Sequence, residues 1–320
     1  MHQYLALIMF ASVFVLLLLG YPVAFSIGGV SLIFGLIGFG PQFFQLLPLR
    51  IWGRMTNFTL LAVPLFVYMG VMLERSGLAE ELLETMGLVF ARIRGGLAIS
   101  VIIVGALLGA STGIVGATVV TMGLLSLPTM LKQNYSKALA TGTVAASGTL
   151  GQIIPPSIVL VLLGDIMNVP IGDLFVGAVI PGLILVVLYV IYVFIISSIK
   201  PEWAPSIPKE QLDNISKAEM RKKVMKALVP PLFLMVAVLG SIFAGIASPT
   251  EAAAVGAVGA TILTAIQGKF NLETMMAVMK GTTNLTCMVF IILVGATTLG
   301  LVFRGLNGDV LVRELILGLP

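Results

Sequence analysis

The sequence predicts an all-α polytopic membrane protein built on an inverted repeat, carrying one re-entrant helical hairpin and one broken helix. Three observations lead there. Of 320 residues, 58% are hydrophobic and 10% charged, whereas soluble domains average about 45–50% apolar and about 25% charged residues. The apolar residues fall in runs of crossing length, and at about 20 residues per crossing the chain has room for about 8–10 membrane segments. Two runs are interrupted in their middles, and a Pro-started small-residue segment occurs twice.

The composition also excludes several chemistries. A single His (His2) and a single Cys (Cys287) supply neither a Cys/His zinc site nor an intramolecular disulfide nor a haem pair. The net charge of +4 is read as the basic bias of loops on one membrane face, not as a nucleic-acid footprint. Residues 5–19 are apolar, but no basic segment precedes them and no small-residue cleavage site precedes Gly20, Tyr21 and Pro22. The expectation is a retained first helix and not a removed signal.

Taken in order, crossings are expected at 4–20, 22–40, 57–73, 173–199, 227–247, 250–267 and 282–303. The stretch 96–130 is apolar for about 35 residues but interrupted at 109–113, and two full spans with a turn need more than about 40. It is therefore read as a helical hairpin that enters and leaves on one side. The stretch 135–165 is interrupted at 145–157, where Pro155 and Pro156 remove backbone donors and Gly148 and Gly151 favour unwound chain. It is read as one crossing broken in the middle.

Lys and Arg test this topology. With the N-terminus outside, fourteen fall on inner loops and only Arg50, Arg54, Arg304 and Arg313 outside. The asymmetry holds only if 96–130 returns to its side of entry. The loop 200–226 contributes seven of the inner charges and reads as a positive-inside anchor between two halves.

The Pro-started segment at 22–29 is echoed at 249–256, and each copy leads through a crossing into an amphipathic stretch, at 73–94 and at 303–319. Five crossings separate the copies, so the second is inverted, an architecture shared by many secondary transporters. Residues 95–165 of the first copy have no counterpart in the second. The expected organisation is first-repeat scaffold helices and an inner amphipathic arm at 1–95, and half of a transport domain at 96–172. A crossing helix and basic cytoplasmic linker follow at 173–226, then second-repeat scaffold helices at 227–320, ending before a second hairpin. The chain is accordingly expected to be C-terminally incomplete, whether a fragment, a truncated reading frame or one piece of a split subunit.

Non-helical backbone at membrane depth persists only where it is buried in protein or lines a wet cavity, so the breaks at 109–116 and 147–157 are the candidate site. Helix ends there offer N–H groups to an anion and carbonyls to a cation such as sodium. Ser111, Thr112, Ser147, Thr149 and Ser157 add hydroxyl oxygens. Other charges read as structural. Asp165 and Asp173 flank an outer loop, and Glu251 follows Ser248 in a capped helix start. Glu74, Arg75, Glu80, Glu81 and Glu84 belong to a helix lying along the inner interface. Cys287 is read as packing. No Ser/His/Asp, paired-acid or phosphate-loop constellation is present, so no enzyme is expected.

The run at 105–123, GALLGASTGIVGATVVTMG, resembles the hairpin of the large membrane subunit of tripartite ATP-independent periplasmic (TRAP) transporters, the DctM-like family. The run GTLGQIIPPS at 148–157 resembles its broken helix, and SPTEAAA at 248–254 its second-repeat helix start; PLF at 64–66 and ERSG at 74–77 extend the likeness over most of the chain. The resemblance implies sodium-driven import of an organic acid such as a dicarboxylate. The acid would be delivered by a soluble periplasmic binding protein, with a small four-helix membrane subunit as partner, in the bacterial inner membrane. It also implies an elevator-type motion of a transport domain against a scaffold, with sodium as coupling ion and no other cofactor. By matching motif, Ser111, Thr112 and Gly113 form the hairpin tip and 148–156 the unwound backbone beside it. Ser111, Thr112, Gly113, Ser147, Thr149 and Gln152 are the candidate substrate contacts. Ser111, Thr112, Gly113, Gly148, Thr149, Gly151, Pro155 and Pro156 are the candidate sodium contacts. The family carries a second hairpin and a second broken helix, for which this chain has no residues. The alternatives are a sodium/dicarboxylate symporter that works without a binding protein, and a non-transporting membrane scaffold.

Overall fold

The computed structural model describes residues 2–113, 115–206 and 217–317, and among them every regular element is helical. The α-helices are α1 (His2–Leu18), α2 (Val23–Phe39), α3 (Leu47–Met55), α4 (Ala62–Arg75), α5 (Leu78–Val89), α6 (Gly96–Thr112) and α7 (Val115–Lys132). They continue with α8 (Lys137–Thr149), α9 (Ile158–Met167), α10 (Ile171–Ile199), α11 (Lys217–Phe243), α12 (Pro249–Ile266), α13 (Leu272–Gly305) and α14 (Gly308–Leu317). Among the described residues, five helical stretches are long and apolar enough to cross a membrane: Phe58–Arg75, Ile171–Ile199, Ala218–Phe243, Pro249–Ile266 and Leu272–Gly305. Shorter apolar helices include Tyr4–Leu18 and Val23–Phe39.

The helix limits follow local chemistry. Ser248 caps α12 by accepting from the Glu251 N–H, and Glu251 returns a carboxylate to the Ser248 N–H at 2.8 Å, a capping box. Two helices extend beyond the expected limits. In α11 the basic residues 217–226 continue without a break into the apolar span and through Pro230 and Pro231. In α13 the helix begins at Leu272, ten residues before the expected crossing. The element order repeats along the chain. After α4 comes Gly77 at φ +76° and the amphipathic α5; after α13 come Asn307 at φ +58° and the amphipathic α14. A left-handed residue reverses the chain at both places, which Gly and Asn tolerate best.

Compactness groups the chain into two units, residues 1–57 with 283–320, and residues 58–282. In the first, Met9, Val13, Phe43, Leu47, Val302 and Leu306 form an apolar core. There Gly28 and Gly295 let α2 and α13 approach closely: a Cβ on Gly295 would sit 3.1 Å from the Ala24 carbonyl oxygen. In the second, α4 lies along α12, with the Tyr68 hydroxyl 3.0 Å from Thr261 Oγ1. A larger core centres on Leu82, Met86, Leu97, Ile102, Met122 and Leu150.

Helix α5 is amphipathic, the character expected of this stretch. Its Leu78, Leu82 and Met86 face is buried in the second unit, where α5 packs on α6 and α11. The ion pair from Lys226 to Glu81, 3.2 Å, is largely exposed and contributes little. Residues 58–95 therefore pack in the same compact unit as the hairpin.

Candidate functional site

Glycine contacts fix the arrangement of the interrupted segments. Gly105 on α6 meets Ser147 on α8, and Gly109 meets Gly151 one turn further along both chains, so α6 and α8 run parallel. Gly123 on α7 meets Val144, and Gly148 meets Val119, so α7 runs antiparallel to α8. Helices α6 and α7 are therefore antiparallel arms of a hairpin. Gly113, at φ +63°, closes α6 by donating its N–H to the Gly109 carbonyl at 2.8 Å, the left-handed cap that glycine serves best.

The second interruption lies between α8 and α9. The chain tightens into a 3-10 turn at Leu150–Gln152, and the N–H groups of Ile153 and Ile154 both donate to the Leu150 carbonyl at 3.0 Å. Pro155 and Pro156 have no N–H to continue the ladder. Ser157 restarts it: its hydroxyl donates to the Gln152 carbonyl at 2.7 Å and accepts from the Leu160 N–H at 3.5 Å.

The two interruptions meet. A Cβ on Gly113 would lie 3.1 Å from Ile158 Cγ1 and 3.2 Å from Ile158 N, so the hairpin turn touches the first residue of α9. A Cβ on Gly109 would lie 2.7 Å from Gly151 Cα, so the last turn of α6 rests backbone to backbone on the 3-10 turn after α8. Two helix C-termini and two helix N-termini thus belong to one junction, which offers partial negative charge from carbonyls and partial positive charge from N–H groups.

The individual candidates fall as follows. Ser147 is buried against Gly105, and its hydroxyl donates to the Val144 carbonyl at 2.9 Å. Thr149 is exposed, and its hydroxyl donates to the Ala146 carbonyl at 2.7 Å. Both protons are engaged, which leaves oxygen lone pairs as acceptors. Gln152 is exposed; Gly113, Gly148, Gly151, Pro155 and Pro156 are buried. Ser111 and Thr112 occupy the last turn of α6, and their side chains lie outside the described residues. Asp165 and Asp173 lie beyond the junction, at the end of α9 and the start of α10. Among the described residues no group of three His, Cys, Asp or Glu side chains comes together, so the oxygen donors at the junction are hydroxyls and carbonyls.

Two residues were misplaced by sequence reasoning. Glu74 is not on the interfacial stretch; it closes α4, half-buried, and its carboxylate accepts a hydrogen bond from the Thr121 hydroxyl on the second hairpin arm. No pattern in the sequence links positions 47 residues apart. Cys287 is exposed, not packed. Tyr135 carries no signal in the sequence that marks it out. It is buried in the turn between α7 and α8, its hydroxyl bonded to the backbone of Leu97 and Ala98 in the first turn of α6. Burial pushes its phenol up to about 12, against the opposing effect of those two bonds.

With this geometry in place, comparison with known proteins is specific. The family model of the DctM component of tripartite ATP-independent periplasmic transporters matches residues 10–320. The chain belongs to the DctM family of TRAP transporter large permeases. Among its relatives, the C4-dicarboxylate large permease DctM of Pseudomonas aeruginosa is 34% identical over 230 residues, covering 72% of this chain and 52% of the relative. The ectoine large permease TeaC of Halomonas elongata is 31% identical over 291 residues, covering 89% and 65%. The sialic acid large permease SiaM of Vibrio cholerae is 32% identical over 292 residues, again covering 89% and 65%. The chain thus spans about half to two thirds of the length of these curated relatives. As a DctM-family chain with several apolar helices it is a multi-pass inner-membrane protein, and its relatives are permeases, not enzymes.

Proposed function

We propose that this chain supplies membrane helices, and a transport site at its hairpin and broken helix, to a large permease subunit that imports an organic acid together with sodium. In this reading a soluble periplasmic binding protein delivers the acid, and a small four-helix membrane subunit completes the complex. The observation that carries the proposal is the contact between the hairpin turn and the broken helix, at Gly109 with Gly151 and at Gly113 with Ile158. Relatives are named for C4-dicarboxylate, ectoine and sialic acid, so the substrate is proposed at the level of an organic acid and not as a dicarboxylate in particular.

The donor set fits an alkali cation. The Ser147 and Thr149 oxygens have their protons engaged elsewhere, and the carbonyls around Gly113, Gly148, Gly151, Pro155 and Pro156 are neutral, hard oxygens. Such ligands suit a weakly held monovalent ion, whereas a tightly bound divalent ion takes carboxylates. Bound sodium would supply positive charge beside the substrate carboxylate. The N-terminal N–H groups of α7 and α9, with Ser111, Thr112 and Gln152, are assigned to that carboxylate. The rest of the proposed organisation is an elevator-type movement of the transport half, with the N-terminus and the four outer arginines facing the periplasm.

The test is uptake by proteoliposomes holding the full subunit and its small partner, with binding protein outside. Uptake should require an inward sodium gradient and fall to background when potassium replaces sodium. Equal uptake in both salts would refute sodium coupling.

A further inference from the structure

We propose that the second compact unit carries a site for an anionic phospholipid, with an acyl chain in a cavity beside α8 and the phosphate at Arg94, Lys137 and Lys200. The cavity, about 380 Å³, is walled by Gly142, Thr143 and Ala146 on α8, Tyr189 and Tyr192 on α10, and Trp203. It holds the volume of about a dozen waters at roughly 30 Å³ each, yet its walls are aliphatic and aromatic, with polar groups only at the tips of the tyrosines, Thr143 and Trp203. Water filling it would lack partners, whereas a hydrocarbon chain loses nothing by entering.

The turn that contributes Trp203 to the cavity wall is basic, and backbone bonds build it. The Gly95 N–H donates to the Ala204 carbonyl at 3.0 Å, and the Ser136 N–H donates to the Trp203 carbonyl at 2.9 Å. The Ser197 hydroxyl donates to the Arg94 carbonyl at 3.2 Å. These bonds draw the start of α6, the start of α8 and the end of α10 to the turn at Pro201–Trp203. Each of the three carries an exposed cation there: Arg94, Lys137 and Lys200. The Lys200 ammonium lies 3.9 Å over the Trp203 ring, and Glu202 is the acidic residue of the turn itself. Tyr189 and Tyr192 sit in the last turns of the apolar span Ile171–Ile199 and Trp203 just beyond it, the level of the aromatic belt where lipid phosphates lie. A single anion is satisfied by the cations alone and an apolar solute by the cavity alone. An anionic amphiphile with head and chain joined uses both, and basic pockets between membrane helices bind such head groups.

The experiment is native mass spectrometry of the full subunit in detergent, titrated with dioleoyl-phosphatidylglycerol, dioleoyl-phosphatidylcholine or inorganic phosphate. The wild type should retain phosphatidylglycerol selectively. The triple variant Arg94→Gln, Lys137→Gln, Lys200→Gln should bind it about a hundredfold more weakly, from about fivefold per basic residue. Gly142→Trp should block binding by filling the cavity; a Cβ at Gly142 meets nothing within 4 Å, so the first atom enters open space. A photoreactive residue at Tyr192 in native membranes reports the occupant independently of either variant's folding and should form a lipid adduct. Equal retention of phosphatidylcholine, equal binding of free phosphate, undiminished binding by well-folded variants, or a protein adduct at Tyr192 would each overturn the proposal.

Discussion

Replacing Gly109 by alanine tests the contact on which the site rests. The new Cβ would lie 2.7 Å from Gly151 Cα and 2.8 Å from Gly151 N, where ordinary contact begins near 3.4 Å. Both obstructing atoms are backbone, so no side chain can rotate away, and α6 must separate from the 3-10 turn by about 0.7 Å in the sense that close packing resists. Overpacking of this kind costs about 1–3 kcal/mol, offset by about 0.4–1 kcal/mol because alanine restricts the unfolded chain. The net loss of about 1–2 kcal/mol corresponds to a fall in Tm of about 2–8 °C for a unit of this size. Gly116 is the control for stability: it lies on the same hairpin, and a Cβ there meets nothing within 4 Å, so Gly116→Ala, which keeps its backbone N–H, should be neutral or slightly stabilising in thermal unfolding. Thermal unfolding of the detergent-solubilised subunit reads the two variants. Gly109→Ala matching Gly116→Ala there would refute the apposition of hairpin and broken helix.

Replacing Pro155 and Pro156 together with alanine restores two backbone donors and should draw the break toward continuous helix; sodium-dependent uptake should be lost while membrane insertion, followed by fractionation, persists. Thr121→Val leaves the half-buried Glu74 carboxylate without that donor and should cost about 1–3 kcal/mol of stability in thermal unfolding; an unchanged Tm would contradict that bond. For Tyr135 the folded value of about 12 lies above the ordinary value of 10.0, so the neutral phenol stabilises the fold. Its contribution is complete below pH 10 and is lost as pH rises from 10 to 12, by about 3 kcal/mol. In unfolding titrations over that window the wild type should lose more stability than Tyr135→Phe, and the two should share the same pH dependence from pH 6 to 9.

Local features of this fold were legible in sequence. The stretches 173–199 and 250–267 are long apolar runs with turn residues at their ends, and helices α10 and α12 occupy them. The Ser248 and Glu251 pair spells a helix start because both partners lie within one turn. The existence of two interruptions was legible too, since Gly, Ser, Thr and consecutive prolines break apolar periodicity, but both are shorter than expected. Residues 109–112 form the last turn of α6 and 145–149, with Gly148 and Thr149, the end of α8, so the chain leaves the helix only at Gly113 and from Leu150 on. Their meeting was not legible. Gly109 and Gly151 are glycines for the sake of each other, and composition records the absence of a side chain without recording what takes its place. Glu74 was misjudged for a similar reason: the amphipathic stretch after it suggests a surface, while Thr121 lies on a helix whose position only tertiary packing determines. The start of α11 at Lys217, ten residues before the expected crossing, was not legible because the basic residues 217–226 read as loop; the passage of the span through Pro230 and Pro231 was expected, since in a membrane neighbouring groups compensate the lost bonds.

Equilibrium binding of radioactive sodium to the full subunit with its small membrane partner addresses the central claim directly. The junction of hairpin and broken helix predicts saturable binding that excess sodium displaces and potassium does not. Replacement of Ser147 by Ala together with Thr149 by Val, hydroxyls in the last turn of α8 before the 3-10 turn, should abolish it. Saturable sodium binding that survives both substitutions, or no saturable binding by the wild type, would contradict the assignment.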